Sequence, residues 1–141
     1  MKGNVRQVIP FFHVADMERS IRYYVDGLGF TIQHRWDVDG QLRWCCLGLG
    51  GASLMLQTFA KRPSSELGAG VSIIFICEDA LAIYHELIAR GIAASEPQVG
   101  NGMWVTYLKD PDGYRIDFES LTDVPEETKL SEWKTPDPGP Q

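Results

Sequence analysis

One arrangement of signals occurs twice in this chain, and it limits the available folds more than any other feature. The first copy opens with a β-rich run, "QVIPFFHVA", followed by Asp16 and then "MERSIRYYVDGLGF". Asp16 is placed to cap a helix, because its carboxylate can accept a free N–H of the first turn. Met17, Ile21 and Tyr24 recur at helical spacing, and Gly27 and Gly29 offer a stop. Three β-rich runs follow, "FTIQHRWDV", "QLRWCCLGL" and "ASLMLQTF", broken at Asp39-Gly40 and Gly50-Gly51. Asp-Gly and Gly-Gly are strong hairpin signals. The second copy repeats the order: "GVSIIFIC", Asp79 as cap, "ALAIYHELIARG", a weak strand demoted to an edge by Pro97, "MWVTYLKD" and "YRIDFES".

Each copy reads β-α-β-β-β, over residues 5–58 and 70–120. Neither is long enough to bury its own sheet, so the expected fold is α+β. Two tandem βαβββ modules form one domain, residues 1–120, with curved mixed sheets around a cup. The modules meet at a polar, Gly-rich linker, "AKRPSSELGAG". After Ser120 the composition turns polar and Pro-rich, which predicts a C-terminal tail over 121–141, pinned by Trp133 or disordered.

Composition excludes several function classes. A net charge of −6 among 141 residues opposes nucleic-acid binding, which needs clustered Lys and Arg. No apolar run is long enough for a membrane span, and the N-terminus lacks signal-peptide features. Three cysteines, two of them adjacent, make a poor disulfide framework. Neighbours on a strand point to opposite faces, so Cys45 and Cys46 cannot share a partner. Reduced thiols and a cytoplasmic location are the expectation.

The stretch "LKDPDGYRIDFES" carries most of the site argument. Pro111 presets a turn and Gly113 takes the position that needs positive φ. Beyond it Arg115, Asp117 and Glu119 fall on one strand face, and Tyr114, Ile116 and Phe118 on the other. The charged face is either solvated or the floor of a binding cup. Asp117 is read as facing the cup, Glu119 as solvated. His13 shares a face with Ile9 and Phe11. It is a metal ligand, a hydrogen-bonding group in an organic-ligand pocket, or a histidine satisfied at the rim. The strand aromatics Phe11, Trp36, Trp44, Phe59, Trp104 and Tyr107 pack across strands or present rings to a flat ligand. Whether Arg43 or Trp44 looks inward stays open.

The chain from about residue 5 to 120, through "RSIRYYVDGLGF" and "DPDGYRIDF", resembles the vicinal oxygen chelate superfamily. This is the glyoxalase, bleomycin-resistance and extradiol-dioxygenase group. The resemblance implies four metal ligands in the metal-dependent members, two from each module's first and last strands. Carried onto this chain, those positions fall on Ile9, on Leu56 or Gln57, near Ser72, and on Asp117. Isoleucine cannot ligate, and Ser is a poor ligand for Zn or Ni. The usual four-ligand site is therefore expected to be missing.

Three functions remain. One is a bleomycin-resistance-like protein that sequesters a small, flat or cationic compound without a cofactor; resemblance implies a homodimer. Its ligand-binding candidates are Phe11, His13, Trp44, Trp104, Arg115 and Asp117. Another is a lyase, isomerase or dioxygenase using a divalent metal on His13, Gln57, Asp117 and Glu119. The third is an interaction module with a vestigial cup. Whether any chemistry occurs is left open; metal content and quenching of Trp fluorescence separate the first two.

Overall fold

A computed structural model describes residues 1–59 and 66–133. Most of the linker, 60–65, and the end of the tail, 134–141, lie outside the described residues. The chain divides into two compact units, 1–70 with 110–114, and 71–109 with 115–141. The turn joining the last two strands thus counts with the first unit.

In the first unit β1 (Phe11–His13) leads to α1 (Met17–Ile21), which widens into a π-helical stretch, Arg22–Gly27. Asp16 caps α1 as its sequence position implies, accepting the Arg19 N–H at 3.1 Å. The widening shows in the Leu28 N–H, which reaches the Tyr23 carbonyl five residues back. β2 (Thr31–Val38), β3 (Gln41–Leu49) and β4 (Ala52–Gln57) complete a sheet ordered β1-β4-β3-β2. β1 runs parallel to β4, and the other pairs are antiparallel. Phe12, Leu54, Leu56, Cys45 and Leu47 share one sheet face and are buried, along with Tyr24 and Phe30. The rings of Tyr24 and Phe30 meet edge to face at 5.6 Å.

The second unit repeats the plan with β5 (Ser72–Ile76), α2 (Ala80–Ala89), β6 (Gln98–Gly100), β7 (Met103–Lys109) and β8 (Arg115–Leu121). Its sheet is ordered β5-β8-β7-β6, with β5 parallel to β8. Asp79 accepts the Ala82 N–H at 3.0 Å, and buried Ser120 adds a second cap by accepting the Ala80 N–H at 2.8 Å. β6 is a three-residue edge strand just after Pro97, as that proline predicts.

β8 runs through Leu121, and the chain then returns along β6. Glu127 N–H donates to the Val99 carbonyl, Val99 N–H to Thr128, and Leu130 N–H to Pro97. A three-residue 3-10 turn, Leu130–Glu132, brings Trp133 onto Trp104, ring to ring at 5.7 Å. Of the two readings for this segment, pinning holds through Trp133. The polar residues 122–133 cover an edge that would otherwise expose unpaired backbone.

Candidate functional site

Strand pairing assigns each candidate to a face. In the first unit His13 pairs with Gln57, which pairs with Trp44, and Trp44 pairs with Trp36. Directly paired residues point the same way, so these four stand in a row on the face opposite the buried Phe12–Leu56–Cys45 row. Phe11, paired with Met55, lies beside them. Phe59 closes the group, 4.5 Å from the His13 ring and 6.3 Å from Phe11, ring centre to ring centre. Phe11 and Phe59 are each nearly half exposed, at 48% and 44%. The result is an open aromatic surface with one imidazole and one amide in it.

β3 settles the question of Arg43 and Trp44. Trp36 pairs with Trp44 but Asp37 pairs with Leu42, so Arg43 is the extra residue of a bulge and is exposed. Trp44 is the one that joins His13. The same register decides between Leu56 and Gln57: Leu56 is fully buried on the far face, and Gln57 stands beside the imidazole.

In the second unit Ser72, Arg115 and Lys109 share a face with Ile74, Asp117 and Tyr107, and with Ile76, Glu119 and Val105. Asp117 is buried at 7% exposure and binds Arg115 through both oxygens, at 2.7 and 3.2 Å. The guanidinium lies over the Tyr107 ring at 3.9 Å. Glu119 sits on the same face as Asp117 and is partly covered, where a solvated acid had been expected. Burial, then the Asp117 charge, raises its pKa against the pull of Arg115. A groove of about 430 Å³ opens on this face, lined by Gln98, Tyr107 and Arg115, with Glu96, Glu126 and Glu127 around it. Its volume falls in the range of small-molecule sites.

Trp104 requires correction. It pairs with Val99 and Ser120 on the opposite face of this sheet and is buried at 4% against Ala80 and Trp133. It is a core residue under α2, not a ligand contact. The sequence did not point to Glu96, Glu126 or Glu127 as groove walls. Nothing local marks them, since the last two arrive through the return of the chain along β6.

The metal candidates are split between the units, His13 and Gln57 in the first and Asp117 and Glu119 in the second. Among the described residues no three His, Cys, Asp or Glu side chains form a group able to hold an ion. His13 has an amide and aromatic rings around it, and both oxygens of Asp117 are taken by Arg115. Cys45 and Cys46 are free and lie on opposite faces, with Leu56 and Met55 as their respective pairing partners. Within either unit, the described residues do not make up the four-ligand set of the superfamily's metal-dependent members.

The chain belongs to the Glyoxalase/Bleomycin resistance protein/Dioxygenase superfamily, whose sequence profile matches residues 9–118. Solved structures share its fold. TnmS3, an antibiotic-binding protein from Streptomyces sp. CB03234, superposes with a TM-score of 0.69 at 21% identity, covering 84% of this chain and 98% of its own. TioX from Micromonospora sp. ML1 gives 0.67 at 18% identity, over 83% and 99%. A glyoxalase/bleomycin resistance protein/dioxygenase from Nocardioides gives 0.64 at 19% identity, over 89% and 91%. No curated protein sequence matches this chain. Among the described residues no helix is long and apolar enough to cross a membrane.

Proposed function

We propose that this chain binds a small, flat organic compound non-covalently and performs no chemistry on it. The open row His13–Gln57–Trp44, flanked by Phe11 and Phe59, carries the reading. Rings offer stacking area, and the imidazole and amide add hydrogen bonds that fix orientation. The second unit, taken by itself, has a groove beside the Arg115–Asp117 pair and Tyr107, and its carboxylates, Glu96, Glu126 and Glu127, favour a cationic guest there. TnmS3, described as an antibiotic-binding protein, has the same fold, which is consistent with sequestration of an antibiotic-like molecule. A homodimer in the cytoplasm accompanies this reading.

The test uses ethidium, a flat aromatic cation, with tryptophan fluorescence as readout. Saturable quenching is expected at micromolar concentration, weakened about tenfold or more by His13→Ala and by Trp44→Ala. Absence of quenching, or stoichiometric transition metal in the purified protein that His13→Ala removes, would replace binding with the metal-dependent reading.

A further inference from the structure

β1 presents His13 and Phe11, yet it is a weak platform. It has three residues and lies at the margin of its sheet, with β4 as its one partner strand among the described residues. Short marginal strands fray unless something else holds them. The turn Asp110–Tyr114, part of the same compact unit, supplies that hold. The Tyr114 hydroxyl donates to the His13 carbonyl at 2.9 Å. The Ala15 N–H donates to Asp112 Oδ1 at 3.2 Å, and Arg19 Nη2 donates to the same oxygen at 3.1 Å. The Tyr114 ring lies flat on Phe12, centroids 3.8 Å apart and planes 4° from parallel. These contacts grip β1 on both sides of the buried Val14.

The turn itself is braced. Asp110 accepts the N–H groups of Asp112 and Tyr114, both at 2.9 Å, and the Tyr24 hydroxyl at 2.6 Å. Gly113 adopts φ +86, which lets the chain reverse so that Asp112 and Tyr114 both reach β1. Asp112 is almost wholly buried, and its Oδ2 has no hydrogen-bond partner among the described residues. A carboxylate is kept in this costly place by the two donors on Oδ1.

We infer that Tyr114 and Asp112 are positioning residues for His13: they fix the backbone on either side of Val14 and so aim the imidazole at Phe59 and at the bound ligand. This rests on the binding reading above for its ligand, but the aim of the imidazole is measurable without one. Tyr114→Phe keeps the stack on Phe12 and removes the bond to His13. Ser120→Ala removes the second cap of α2, in the other unit, and so controls for a general loss of stability.

The chain has three histidines, so the imidazole NMR spectrum is simple, and His13→Gln assigns the His13 signals. The Phe59 ring beside His13 should displace those signals from random-coil positions, and Phe59→Leu should abolish the displacement. In Tyr114→Phe the displacement shrinks and ethidium affinity falls by about tenfold. In Ser120→Ala both stay at wild-type values while the unfolding midpoint drops. Unmoved His13 signals in Tyr114→Phe, or equal movement in Ser120→Ala, would overturn the inference. If wild type fails to bind ethidium, the binding reading is lost, and the NMR comparison alone decides the positioning role.

Discussion

At the scale of single residues, the Tyr24 side chain is buried and its hydroxyl donates to Asp110 Oδ2 at 2.6 Å. Burial, then the charge of Asp110, pushes its pKa far above the ordinary tyrosine value. A folded pKa above the unfolded one means that its contribution is full below about pH 10, where free tyrosine titrates, and is lost as pH climbs further. Urea midpoints at pH 8 and 11 should therefore fall steeply in wild type and less in Tyr24→Phe. At neutral pH that variant should lose about 1–3 kcal/mol, because Asp110 Oδ2 is left buried without its donor. A second residue-scale expectation concerns Cys45, whose thiol burial pushes up to about 11. It should resist a thiol reagent at pH 8 in the native protein and react once urea unfolds the chain. Tyr24 reads from sequence as a core position on a helix, and Asp110 as part of a turn. Their bond spans 86 residues, and nothing local announces a pairing that long.

Among elements, what the sequence makes legible is what local chemistry decides. Asp16 and Asp79 cap their helices, Asp39-Gly40 turns a hairpin with both φ positive, and Pro97 confines β6 to an edge. Asp79→Ala should cost about 1 kcal/mol in chemical denaturation. The faces of β3 and β7 were not legible. β3 carries a bulge at Arg43, which resets the alternation that a strand reading depends on. β7 alternates Met103, Val105 and Tyr107 with Trp104, Thr106 and Leu108, so both faces are largely apolar and periodicity cannot choose between them. Backbone proximity is also invisible locally: a Cβ on Gly68 would run into the backbone of Gly113 and Tyr114. Gly68→Ala should destabilise by about 1–3 kcal/mol, since backbone must move to admit one methyl. Trp133→Ala should cost a similar amount by exposing Trp104, which thermal unfolding would register.

For the whole molecule, the duplication read from sequence stands in two four-stranded sheets of like order, one in each unit. The halves have diverged on their open faces. One is aromatic with a single imidazole, and the other holds a guanidinium locked to a buried acid beside an acid-rimmed groove. That divergence is the basis of the binding account. The most direct measurement is a paired titration of the intact protein, purified without added metal, with ethidium and with the anionic dye 8-anilinonaphthalene-1-sulfonate, alongside elemental analysis of the same sample. The account predicts saturable tryptophan quenching by ethidium at least about tenfold tighter than by the anion, lost in Trp44→Ala, with metal far below one equivalent. A tightly held equivalent of transition metal that His13→Ala releases, or no binding of either dye, would contradict it.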